Sequence, residues 1–145
     1  MHPTTLLLGI GNTLRSDDGV AAYICTRLQE EALPGVTIQT TQQLQTEFLV
    51  EFQHYDRVVI VDASVTANEV KLERVDAGGA AVASTHHMSL SLMAAMAQQL
   101  YGKPLQLYAC SIPVLHFRMG DTLSSVAEEQ ATKAIALLRN WLQQP

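Results

Sequence analysis

The chain has 145 residues, 48% of them hydrophobic, enough for one globular domain that buries about two-thirds of the surface its unfolded form exposes. Nine Lys and Arg stand against 14 Asp and Glu, for a formal net charge of −5. That balance argues against a nucleic-acid partner, which needs clustered basic residues, and no basic amphipathic stretch is present to coat a membrane.

The opening residues, "MHPTTLLLGIGN", lack a basic n-region, and no run approaches the length of a membrane span. Cys25 and Cys110 are far apart and form no CxxC pair, as expected of two buried, reduced thiols in a cytoplasmic protein.

In chain order, "TTLLLGI" (4–10) is short, continuous and stopped by glycine, the pattern of a buried strand. Val20, Ile24 and Leu28 recur at helical spacing until "LPG" at 33–35. "VTIQT" (36–40) alternates and is rich in β-branched residues, which predicts an edge strand. A helix is expected over 44–53, with Leu44, Phe48 and Phe52 on one face. "RVVIVDAS" (57–64) reads as a strand buried on both faces, and "EVKLERVD" (69–76) as a strand with one wet face. The link between these two is too short for a crossover helix, so the pair is expected to be antiparallel.

Met88, Leu92, Met96 and Leu100 lie four apart and predict the core stripe of a helix. "LQLYACSI" (105–112) is the last strand, and "SVAE" at 125–128 predicts a capping box opening a helix through Ala131, Ile135, Leu138 and Leu142. Trp141 is expected to pack against the domain. The order β-α-β-α-β-β-α-β-α predicts a three-layer α/β/α domain with a mostly parallel, twisted, five-stranded sheet and one antiparallel strand.

Ligands of such sheets sit beyond the carboxyl ends of the strands, so the polar residues that follow strands carry the functional question. Asp62 ends "VVIVD", a position where a turn or cap role is common. Ser16-Asp17-Asp18 opens the first helix and suits ordinary N-capping. One acid satisfies that need, leaving the second without a structural job. His86, in "STHHMSL", precedes a helix. If 76–87 loops back over the edge, Asp18, Asp62 and His86 form a set suited to a divalent first-row metal with open positions. The other histidines, His2, His54, His87 and His116, are taken as surface residues.

Competing motifs are absent. Leu14 occupies the third glycine position of a dinucleotide fingerprint, and there is no P-loop, HExxH or GxSxG. A phosphoacceptor receiver domain shares the layout of an acidic pair and a strand-ending Asp. Its acidic pair directly follows the first strand, however, whereas here several residues intervene. Its "KP" follows the last strand, whereas Lys103-Pro104 precedes this one.

"LGIGNTLRSDDGVAAYI" closely resembles the opening motif of the [NiFe]-hydrogenase maturation endopeptidases, G-x-G-N-x-L-x-x-D-D/E-G. "VVIVDAS", "STHHMSL" and "CSIPVLHFRMGDTLSSV" extend the resemblance over nearly the whole chain. It implies one such domain over 1–145, with Asp18, Asp62 and His86 as metal-binding and catalytic residues. It also implies an activity: removal of the C-terminal extension of a [NiFe]-hydrogenase large-subunit precursor after nickel insertion. The nickel recognised is implied to belong to the substrate, with no permanently bound cofactor, and the protein is expected to be a monomer. By the same resemblance Asp17 is left as the capping acid. Some members of the family carry an acidic Gly-rich loop where this chain has "TTQQLQTEF" (40–48); the chain is more similar to a group with a Gln-Leu loop there. A nickel carrier using the same ligands is the non-catalytic alternative.

Overall fold

The structure is a computed structural model and describes residues 3–77, 90–117 and 119–144. Its strands are β1 (Thr5–Ile10), β2 (Val36–Thr41), β3 (Arg57–Ser64), β4 (Lys71–Val75) and β5 (Leu107–Pro113). Its helices are α1 (Val20–Gln29), α2 (Phe48–Phe52), α3 (Leu90–Tyr101) and α4 (Ser125–Leu142). A 3-10 turn, Ser16–Gly19, leads into α1.

The sheet order is β2-β1-β3-β5-β4, all parallel except β4, so the expected three-layer α/β/α architecture is met. Side chains alternate across each strand, and the two cores follow from that alternation. Leu7, Val59, Val61, Cys110 and Ile112 pack under α1 and α4. Leu6, Leu8, Ile10, Val58, Ile60 and Leu107 pack under α2 and α3. From β1 the chain crosses by α1 to β2 on one side, then returns by α2 to β3 on the other. The switch point of the sheet therefore lies between the carboxyl ends of β1 and β3.

Four sequence expectations need correction. β4 runs opposite to β3 as expected, but its partner is β5, which lies between them. β5 is buried along most of its length and suits an interior position, whereas β4 carries Lys71, Glu73 and Arg74 and suits an exposed edge. The second helix is only Phe48–Phe52, although Leu44 and Phe52 are buried together with Leu49 as its pattern implied.

In α3 the buried face is Leu90, Met93, Ala94 and Ala97, while Leu92 and Leu100 are 52% and 65% exposed. The helix has apolar residues on two faces, and the sheet covers the one that carries Leu90, Met93, Ala94 and Ala97. Met88 lies outside the described residues. The cap of α4 is Ser124 rather than Ser125, its side chain accepting from the Ala127 N–H.

At the amino edge, the buried Arg57 guanidinium donates to Thr5 Oγ1 at 2.7 Å and to the Leu142 carbonyl at 3.4 Å. It also lies 4.0 Å from the Trp141 ring centroid, and Trp141 meets Tyr108 edge-on at 4.8 Å. A cation there complements the carboxyl end of α4. Among the described residues, no helix is long and apolar enough to cross a membrane.

Gly9 sets how closely α1 approaches the sheet. A Cβ at this position would stand 2.7 Å from Cys25 Sγ and 3.2 Å from the Ala21 carbonyl oxygen. Gly9→Ala is expected to cost about 1–3 kcal/mol by overpacking. Cys25→Ala should recover part of that loss, a coupling measurable by a double-mutant cycle of denaturant unfolding. Simple additivity would refute the contact as its cause.

Candidate functional site at the carboxyl edge of β1 and β3

Beyond β1 the chain turns sharply back on itself. Gly11 adopts φ +152°, and a Cβ there would collide with the carbonyl oxygen of Asp18. Glycine alone permits this closeness. The loop is tied by Gly11 N–H to the Thr41 carbonyl (3.0 Å), by Leu14 N–H to Asn12 Oδ1 (2.9 Å) and by Arg15 N–H to the Asn12 carbonyl (3.0 Å). Asn12 thus ties the turn by local hydrogen bonds, as Asn side chains do.

The two adjacent acids are both buried, and they serve different partners. Asp17 caps no helix of its own. Its Oδ1 accepts from Ser124 N–H at 2.7 Å. Its Oδ2 accepts from Leu115 N–H at 2.8 Å, from the Ser124 hydroxyl at 2.8 Å and from His116 N–H at 3.4 Å. The β1–α1 loop is thereby joined to the β5–α4 loop, 98 to 107 residues later. Ser16 N–H to the Gly120 carbonyl (2.8 Å) and Gly120 N–H to the Leu14 carbonyl (2.9 Å) continue the seam.

Asp18 turns the other way. Its Oδ2 accepts from Asn12 N–H at 2.8 Å, and its Oδ1 is buried. Asp62 is half-buried near the end of β3, in register with Ile10 of β1 and Ser111 of β5. By alternation it lies on the α2/α3 face. Gly11 follows Ile10 directly and abuts Asp18, so the fold brings both carboxylates to the end of β1, at the switch point. His86, the third expected ligand, lies outside the described residues, four positions before α3, as does His87 and as does His2. Among the described residues there is no group of three or more His, Cys, Asp or Glu able to hold a metal ion. His54 is exposed and His116 is half-buried.

Among the described residues, the two thiols and the hydroxyls of Ser64 and Ser124 are poorly placed as nucleophiles. Cys25 and Cys110 are buried in the core under α1 and α4, where burial pushes both thiols up to about 12, far from a thiolate. Ser124 Oγ is engaged by Asp17 and Ala127, and Ser64 Oγ accepts from the N–H groups of Thr66 and Ala67. The clamp made by Asp17 is the part of the site that sequence reasoning missed. Its only sequence signal is that two acids stand together in one turn where a single one would serve as a cap.

Nine solved chains match this fold well, and it is the fold of the [NiFe] hydrogenase maturation proteases. Among them, the maturation protease HycI of Thermococcus kodakarensis KOD1 is 22% identical, with TM-score 0.73 over 98% of this chain and 94% of its own. HybD of the same species is 21% identical, with TM-score 0.75 over 96% and 99%. The maturating endopeptidase HybD of E. coli is 22% identical, with TM-score 0.70 over 94% and 93%. No family model matches the chain, and no curated protein matches it in sequence.

Burial acts to raise the Asp17 pKa, but the donors from Ser124, Leu115 and His116 outweigh it and hold the carboxyl below its usual range. A depressed native pKa means that the stabilisation is complete above the unfolded value of about 3.9 and is lost as pH falls through the lower native value. Asp17→Asn is therefore expected to cost about 2–4 kcal/mol at neutral pH, since its amide faces N–H donors. The variant should also lose part of the acid dependence below about pH 4. Urea unfolding between pH 3 and 7 tests both, and equal acid slopes would rule out the clamp as their source.

Proposed function

We propose that this protein is an endopeptidase that removes the C-terminal extension of a [NiFe]-hydrogenase large-subunit precursor once nickel has been inserted. The observation that carries the reading is the convergence of Asp18 and Asp62 on the end of β1, at the switch point. It is supported by a fold shared along almost the whole chain with proteins described as hydrogenase maturation proteases.

In this reading the nickel arrives as part of the substrate. Asp18, Asp62 and His86 supply two carboxylates and an imidazole, a donor set suited to a divalent first-row ion with positions left for the substrate's own ligands. Recognition of the ion brings the scissile bond to the sheet edge. Water serves as the nucleophile in this reading, and the two thiols, buried and protonated, do not compete with it. Nickel polarises the scissile carbonyl or activates that water. The protein carries no resident metal between turnovers, and it works as a cytoplasmic monomer.

Selectivity among large subunits is assigned to the segment after β2. Thr41 sits in register with Ile10, so this segment leaves from the carboxyl edge, where Gln42, Gln43 and Gln45 are exposed. Amide side chains there offer both donors and acceptors to a partner's backbone.

The test is incubation of nickel-loaded and nickel-free precursor with the protein, with the precursor C-terminus read by intact mass. Loss of a defined tail from the loaded form alone is expected. Asp18→Asn and His86→Ala should each slow it by at least about 100-fold, as removal of a directly acting group does, without changing the unfolding midpoint by much. Full cleavage by either variant would sink the site assignment. An unchanged mass with nickel transferred to the protein would identify a carrier instead.

A further inference from the structure

The seam between the β1–α1 and β5–α4 loops does more than anchor Asp17. It presents three large apolar side chains to solvent: Leu14 at 61% exposure, Leu115 at 58% and Met119 at 86%. Leu14 and Met119 are linked through the backbone bond of Gly120, and Leu115 is tied to the same loop through the Asp17 carboxylate. The Leu14 carbonyl accepts from Gly120 N–H at 2.9 Å, and the Leu115 N–H is held by Asp17 at 2.8 Å. Arg15 strengthens the same wall, donating from Nε to the Phe117 carbonyl at 3.3 Å with its guanidinium 5.5 Å from the Phe117 ring centroid. Single exposed leucines are ordinary, whereas three on one hydrogen-bonded seam make a surface.

We propose that Leu14, Leu115 and Met119 form the surface on which the folded body of the large-subunit precursor docks while its tail enters the carboxyl edge. The inference rests on the endopeptidase reading above and extends it to the substrate's folded part. Position argues for this occupant. A protein whose tail reaches Asp18 and Asp62 must rest its body on whatever borders that edge, and on the α1/α4 side the border is this seam. Rigidity argues for it as well: the loops are already fixed by backbone bonds and by Asp17, so docking orders little that was mobile.

The same bonds hold the surface in register with Asp18. Leu100, 65% exposed, is an apolar position remote from the carboxyl edge. Leu100 lies near the carboxyl end of α3, which hands the chain to the amino end of β5, at the opposite edge of the sheet. It serves as the control.

The experiment measures binding of nickel-free and nickel-loaded precursor to immobilised wild-type protein, to Leu14→Ser/Leu115→Ser/Met119→Ser, to Met119→Ser alone and to Leu100→Ser. Nickel-free precursor isolates the contribution of the folded body. The triple variant should bind it about tenfold or more weakly, the scale of a lost apolar hot spot. Met119→Ser should show part of that loss at an unchanged unfolding midpoint, and Leu100→Ser should bind as wild type does. A triple variant within twofold of wild type overturns the proposal, as does wild type that fails to bind. A wild-type dimer that the triple variant makes monomeric also overturns it, because the surface would then serve self-association. Wild type that binds through this surface but leaves the precursor mass unchanged upholds docking and refutes the endopeptidase reading.

Discussion

The arrangement of the carboxyl edge depends on one buried carboxylate. Asp17 gathers three backbone N–H groups and a hydroxyl from the loop that follows β5, and so closes a seam between two loops distant in sequence. Ser124 shares in it twice, donating to Asp17 and capping α4. The start of α4 is therefore set by the first loop of the chain. At the other end of the same helix, Arg57 takes the Leu142 carbonyl and the Trp141 ring. With both ends held, α4 packs against α1 along a stripe of alanines and Leu138. A buried charge is tolerable here because each of its lone pairs is met by a donor.

Two acids in succession would repel if both faced one cavity. The 3-10 turn separates them, sending Asp17 toward the β5–α4 loop and Asp18 back to the Asn12 amide. One becomes part of the frame and the other borders the switch point. Gly11 makes this possible, since any side chain there would meet the Asp18 carbonyl. The opening Gly-Ile-Gly turn therefore cradles no phosphate. Its first glycine lets α1 lie close to the sheet, and its second lets an aspartate fold back to the strand end.

The solved maturation proteases share this architecture at about one residue in five. Such divergence is what packing physics permits. A core tolerates exchange of apolar side chains when volume and pattern are kept, whereas a collision at Gly11 or a lost donor to Asp17 cannot be repacked away.

Alternation and helical spacing determined by themselves the number, type and order of the elements, because burial on a pleated strand or a helix face is a local property of the chain. Strand 57–64, the edge position of β2 and the convergence of Asp18 and Asp62 on one edge all follow from it. Periodicity could not choose between two apolar faces of α3, because both have the right spacing and only packing in the folded domain decides which one is buried. Nor could it tell that β5 inserts beside β3, since strand partnership depends on which backbone edges remain to be paired. The division of labour between Asp17 and Asp18 was equally hidden. It is decided by donors about a hundred residues away, and those come within reach only when the chain has folded.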